Sequence, residues 1–131
     1  MPKALRIAAI AAVGGILACC GFLAWSFYYG VDAERTTFSS VVWKERANVY
    51  AHGNDPGCVR GGMAIDIVST NLLHGRLISE VISLLGEPDG KQDSIIHYEL
   101  GQCSGFGWAN SELQVNLSER QQVIDAVILR R

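Results

Sequence analysis

Six side chains outside the N-terminal apolar segment are the first candidates for binding a metal or for acting as a nucleophile or base: His52, Asp55, Cys58, His74, His97 and Cys103. Zinc sites usually contain paired ligands such as Cys-x-x-Cys or His-Glu-x-x-His, and the sequence contains neither pattern. A cysteine nucleophile needs a histidine beside it, and here only the folding of distant segments could bring the two together. The sequence therefore predicts no catalytic, cofactor-binding or metal-binding residue, and we expect that the protein is not an enzyme.

The four cysteines form two pairs of different character. Cys19 and Cys20 are adjacent within the apolar segment, where cysteine behaves as a small hydrophobic residue. Cys58 and Cys103 lie in the more polar part of the chain, each beside turn-forming residues. If that part is exported to an oxidising compartment, we expect a disulfide between Cys58 and Cys103. The alternative is two unrelated free thiols.

Residues 101–110 combine three glycines with two aromatic side chains, Phe106 and Trp108. This composition predicts a glycine-rich loop between two strands. Its aromatic side chains either cover one end of the core or form an exposed partner-binding loop, because tryptophan and tyrosine are common at interfaces. Trp43 raises the same question, and we expect it in the core.

The N-terminal segment is long and apolar enough to span a bilayer. Residues 7–29 contain no charged side chain, and 23 residues at about 1.5 Å per residue extend about 34 Å, against about 30 Å for the hydrocarbon core. Lys3 and Arg6 precede this segment, whereas Asp32 and Glu34 follow it. The positive-inside rule therefore predicts a signal-anchor helix within residues 1–30, with a cytoplasmic N-terminus and a periplasmic C-terminal domain.

Two other interpretations of this segment remain open. Ala18 and Cys20 could form a cleavage site, which would give a secreted protein. Residues 16–19 also resemble a poor lipoprotein box, which would give an outer-membrane lipoprotein. The apolar character continues to Tyr29, beyond what either signal requires. We therefore expect a single-pass protein of the inner membrane.

The rest of the chain divides into a connection and loop, residues 31–59, and a domain, residues 60–131. Apolar periodicity predicts helices over residues 63–72 and 78–85. Alternating patterns predict strands over 94–100 and 112–118, with His97 facing outward. A third strand over 123–129 has apolar residues on both faces, as expected for the central or the best covered strand. We therefore expect an α+β fold in which two short helices pack on a three-stranded antiparallel sheet.

The charge of this part of the chain argues against one class of partner. Without Lys3 and Arg6, nine basic residues stand against thirteen acidic ones, a formal charge of −4. A nucleic-acid partner is not expected, because such proteins present a basic patch. No feature identifies a small-molecule substrate.

Residues 72–89, followed by strands, resemble the SmpA/OmlA family of bacterial envelope proteins. Their fold is BamE-like and is shared in outline by β-lactamase inhibitor proteins. The resemblance covers residues 60–131 and depends on glycine before the second helix, Glu-Val within it and the motif that ends it: Gly75, Glu80, Val81, Leu85, Gly86, Glu87, Pro88 and Asp89. Such proteins usually have Ser or Thr where Leu77 stands, so Glu80 lacks its reciprocal capping partner. BamE proteins also carry a lipobox, whereas this chain is expected to keep a helix.

The resemblance implies a non-enzymatic, membrane-anchored interaction or scaffolding module of the cell envelope, with another envelope protein as its partner. The alternative within the same fold outline is a small inhibitor or immunity-type binding protein that uses the loop 101–110. A cysteine-dependent enzyme is the last of the three readings.

Overall fold

The computed structural model describes residues 2–50 and 57–131 and has an α+β architecture. His52 and Asp55 therefore lie outside the described residues. The helices, in chain order, are α1 Lys3–Tyr29, α2 Ser40–Glu45, α3 Gly61–Ser69 and α4 Ile78–Leu85. The strands are β1 Gly90–Gln92, β2 Ile95–Ser104, β3 Ala109–Leu117 and β4 Val123–Arg130.

Helix α1 is the apolar N-terminal segment, and it has no buried residue. Its 27 residues extend about 40 Å, and it is long and apolar enough to cross a membrane. It begins before the predicted span because the helix continues through the charged residues near the N-terminus. The N–H of Gly30 donates to the Ser26 carbonyl at 2.8 Å, and the helix ends there because the Gly30 backbone is extended, with φ −73° and ψ 146°.

The sheet is antiparallel with the order β1-β2-β3-β4, so the prediction of three strands was wrong. The added strand, β1, is only three residues long and shows no alternation of apolar residues. Its Gly90 pairs with His97, and the His97 imidazole occupies the space that a Cβ on Gly90 would need. Strand β1 therefore forms because it pairs with β2, and not because of a pattern in its own side chains.

Strand β4 lies at the edge of the sheet and has one buried residue, so the expectation of the central or the best covered strand was also wrong. Two of its apolar side chains are exposed, Ile124 by 53% and Leu129 by 40%. The chain between α3 and α4 covers the start of this edge. The Gly75 N–H donates to the Val123 carbonyl at 2.9 Å, and the Val123 N–H donates to the Arg76 carbonyl at 2.8 Å. The rest of β4 is half-buried or exposed.

One face of the sheet forms the core. The alternation predicted for β2 and β3 is confirmed, because their inward residues are fully or almost fully buried: Ile96, Tyr98, Leu100, Leu113, Val115 and Leu117. Helix α3 packs on this face through Ile67, which is 1% exposed.

The segment 31–50, predicted as a connection, contributes to the same core. Trp43 of α2 is 0% exposed, so its expected burial is confirmed. Two hydrogen bonds attach helix α2 to α4. The Ser40 hydroxyl donates to the Leu84 carbonyl at 2.6 Å, and Lys44 Nζ donates to the Ser83 carbonyl at 2.5 Å.

Candidate interaction surfaces

Of the side chains that sequence reasoning selected for chemistry, the two histidines that the structure describes lie on different elements. His74 follows α3, where its Nδ1 lies 2.8 Å from the Ile124 carbonyl. His97 lies on the face of β2 opposite the core. Within residues 2–50 and 57–131, no three His, Cys, Asp or Glu side chains are placed to hold a metal ion.

A disulfide joins Cys58 to Cys103, with 4.7 Å between their Cα atoms. Cys103 is fully buried. The N–H groups of Val59 and Arg60 both donate to the Leu100 carbonyl at 3.0 Å, which holds the segment before α3 against β2. Since both sulfur atoms are bonded, neither is available as a nucleophile.

Sequence reasoning missed Arg60, a buried cation at the start of α3. Its guanidinium donates to the Trp43 carbonyl from Nε at 3.2 Å and from Nη2 at 2.9 Å, and its Cζ lies 4.5 Å from the centre of the Trp43 ring. Burial lowers the Arg60 pKa, and the nearby Asp89 carboxylate, at 3.8 Å, partly offsets this. Arg60 therefore connects α2, α3 and the sheet, and its contacts are those of a structural residue.

Two further polar groups fix the helices in place. Asp66 of α3 accepts from the Phe38 N–H at 2.9 Å and from the Arg35 guanidinium at 2.7 Å, and these hydrogen bonds lower the Asp66 pKa. The Tyr98 hydroxyl donates to the Gly86 carbonyl at 2.9 Å. Burial raises the Tyr98 pKa far above its usual value, so Tyr98 stays neutral and acts as a donor.

The first candidate surface is the face of the sheet opposite the core, called here the outer face. No described helix packs on it, and a shallow groove of about 460 Å³ runs across it. Its centre is lined by the half-buried His97, Glu112 and Gln114, with the partly exposed Ile95 and Leu129 beside them.

Charged groups of both signs border the outer face. Arg131 Nη1 forms an ion pair with Glu99 Oε1 at 2.6 Å, while Lys91 is exposed at the opposite edge. A mixed apolar and charged surface of this kind is typical of protein interfaces rather than of enclosed ligand sites.

The second candidate surface is the turn between β2 and β3, residues 105–108, called here the aromatic turn. The predicted loop 101–110 is shorter than expected, because β2 continues to Ser104 and β3 begins at Ala109. Its aromatic side chains do not cover the core: Phe106 is 51% exposed and Trp108 is 86% exposed. The Phe106 ring packs edge-on against Phe27 of α1, with 5.4 Å between ring centres.

Polar contacts hold the aromatic turn and the end of α1 together. The Arg130 Cζ lies 4.7 Å from the Phe27 ring centre and 5.3 Å from that of Tyr28. Asp32 makes two hydrogen bonds. Its N–H donates to the Cys103 carbonyl at 2.8 Å, and its carboxylate accepts from the Gly107 N–H at 3.2 Å. The C-terminal end of α1 is thus fixed to β2, the aromatic turn and β4.

In the described part of the chain, this arrangement offers surfaces for binding rather than a set of converging reactive groups. The outer face is open, and the aromatic turn is exposed at the end of the apolar helix. Comparisons with known protein families, with curated proteins and with solved structures find no match for this chain.

Proposed function

We propose that this protein is a non-enzymatic interaction module of the bacterial cell envelope, held by α1 as a single-pass anchor in the inner membrane. Its N-terminus is cytoplasmic and its domain periplasmic. The observation that carries this proposal is a groove on the outer face that no described helix covers, on a domain attached directly to an apolar helix. Another envelope protein is the proposed partner.

The charges around α1 support this orientation. Lys3 and Arg6 lie at its start, while Asp32 and Glu34 follow its end, and basic residues stay preferentially on the cytoplasmic side. The disulfide between Cys58 and Cys103 also fits an oxidising compartment such as the periplasm.

The chemistry of the outer face supports a protein as the partner. Ile95 and Leu129 provide apolar area, while Glu112, His97 and Gln114 provide hydrogen-bonding groups between them. Protein interfaces contain both apolar area and hydrogen-bonding groups of this kind. The similarity of residues 60–131 to the SmpA/OmlA family points the search towards envelope assemblies.

Site-specific photocrosslinking in native membranes tests the partner. A benzophenone amino acid replaces Gln114 at the centre of the outer face, and in a matched control it replaces Arg120, exposed in the turn after β3. We expect a discrete adduct with a second envelope protein from position 114 and none from position 120. The absence of any adduct from position 114 at native abundance would contradict the proposal.

The mass of the mature protein and its residence in separated membranes test the anchor. An intact N-terminus in the inner membrane is the expected result. A chain that begins at an acylated Cys19 or Cys20 in the outer membrane would overturn the anchor and leave a lipoprotein in its place.

A further inference from the structure

We propose that the aromatic turn inserts into the interfacial layer of the same membrane, so that the lipid surface is a second binding partner of the domain. The inference rests on the proposed retention of α1 as an anchor. It assigns Phe106 and Trp108 to lipid, where the sequence predicted a partner-binding loop, and it leaves the outer face free for a protein.

The length of α1 sets the depth of the aromatic turn. Twenty residues at about 1.5 Å per residue cross the hydrocarbon core of about 30 Å. Counted from Ile7, directly after Arg6, this distance ends at Ser26. Residues 27–29 then lie in the headgroup layer, which is roughly 5 to 7 Å thick on each side.

The contacts of Phe27 bring the aromatic turn to that level. Phe106 lies 5.4 Å from Phe27 between ring centres, and a Cβ on Gly105 would lie 3.4 Å from the Phe27 ring. The N–H of Trp108 donates to the Gly105 carbonyl at 3.1 Å, so Trp108 stays within the same tight turn. Trp108 is therefore within reach of the headgroup layer.

The exposed side chains at this corner are of the kind that gather at membrane interfaces. Tryptophan and tyrosine rings are amphipathic and favour the headgroup level over bulk water. Five aromatic residues here are more than half exposed: Trp25 60%, Tyr28 61%, Tyr29 76%, Phe106 51% and Trp108 86%. Phe106 and Trp108 therefore extend the group of exposed aromatic residues at the end of α1.

The backbone of the aromatic turn is shaped to present these rings. Phe106 has a φ of 54°, between Gly105 at 57° and Gly107 at 83°, and a left-handed conformation is unfavourable for a bulky residue. The Gly107 N–H donates hydrogen bonds to both the Ser104 carbonyl, at 3.1 Å, and the Asp32 carboxylate, at 3.2 Å. The aromatic turn is thus held in a strained conformation that directs Phe106 towards α1.

Arg130 adds the charge that such a contact requires. Its guanidinium lies over the rings of Phe27 and Tyr28, at the level where lipid phosphates lie. Arginine binds phosphate through several donors at once. The aromatic rings and Arg130 together match the apolar and anionic parts of a lipid interface.

Tryptophan quenching by lipids brominated near the headgroup end of their chains tests the inference in the full-length protein. The protein is reconstituted in phosphatidylcholine vesicles as two variants, Trp25→Phe, which leaves Trp108 as the reporter, and Trp108→Phe, which leaves Trp25. The double variant gives the signal of the buried Trp43, which is subtracted. Ile124→Trp in the double variant is a matched control, because Ile124 is exposed at the end of β4 away from Arg130.

We expect brominated lipid to quench both Trp25 and Trp108, and aqueous iodide to quench the tryptophan at position 124 several-fold more strongly than Trp108. Quenching of Trp25 but not of Trp108 would overturn the inference and leave the anchor intact. Loss of both signals would overturn the anchor itself. Shielding of Trp108 in native membranes but not in pure lipid would assign the aromatic turn to a protein partner and also refute the inference.

A second pair of variants separates ring chemistry from turn geometry. Phe106→Asn keeps the left-handed conformation, which asparagine tolerates, but removes the ring. Lipid quenching of Trp108 is expected to fall in this variant and to be retained in Phe106→Tyr, which keeps an aromatic ring without adding a second tryptophan. Equal quenching in both would show that the rings do not set the depth.

Discussion

Reduction of the disulfide between Cys58 and Cys103 is expected to lower the free energy of unfolding of the domain that follows α1 by about 4 kcal/mol. The two cysteines are 45 residues apart, and the loop-entropy relation for a loop of that size gives about 13 cal/mol/K, or about 4 kcal/mol at 25 °C. For a domain of about 100 residues, this free energy corresponds to a fall in Tm of about 15 to 30 °C.

Thermal unfolding of the full-length protein in detergent micelles provides the measurement, with tertiary structure followed by near-ultraviolet circular dichroism. Cys19→Ala and Cys20→Ala form the background, so that a phosphine reductant acts only on Cys58 and Cys103. In the matched control, Cys58→Ser with Cys103→Ser, the reductant should have no effect on Tm.

Two results would refute the reasoning. One is a shift in Tm of less than about 5 °C on reduction, since even 1 kcal/mol gives about 4 to 8 °C. The other is full alkylation of Cys58 and Cys103 in membranes without reductant, which would show that the bond does not form in the cell.

Substitutions at three residues test the polar contacts. Because its pKa is lowered in the folded state, the ionised Asp66 stabilises the fold above the ordinary carboxyl pKa, and this stabilisation is lost as pH falls from about 4 towards the lowered pKa. Asp66→Asn should therefore remove this part of the acid sensitivity of the wild type. Parallel acid-unfolding curves for the two proteins would contradict the prediction. Arg60→Ala should cost about 3 kcal/mol in chemical unfolding, because it empties a buried site under Trp43. Arg60→Lys should not restore this, because lysine lacks the planar fork, and full rescue would count against the proposed role. Tyr98→Phe should cost about 1 kcal/mol for the lost hydrogen bond, and an unchanged unfolding midpoint would show that the bond contributes nothing.

The elements that could be predicted from sequence are those whose own side chains report their surroundings. Helix α1 is uniformly apolar, and the inward and outward residues of β3 alternate because one face meets the core and the other meets water. Trp43 was expected in the core for the same reason, since its large apolar area favours burial.

The remaining features depend on which distant segments meet, and single-segment patterns do not contain that information. Strand β1 exists because Gly90 leaves room for the ring of His97. The sequence around Arg60 has the composition of a loop, yet the fold buries its side chain under Trp43. The position of Trp108 beside the end of α1 likewise follows from contacts between residues almost eighty positions apart, such as Phe27 and Phe106.

The attachments at the end of α1 have a mechanical consequence. Asp32 bonds to Cys103 on β2, and Arg130 on β4 donates to the Phe27 carbonyl at 3.4 Å, so the two attachments lie on opposite sides of β3. A single flexible linker would let the sheet rotate freely relative to α1, whereas two separated attachments transmit torque. Rotation of the helix about its long axis therefore turns the sheet with it. With α1 as the proposed membrane anchor, the direction that the outer face points is then set by the contacts of α1 within the bilayer.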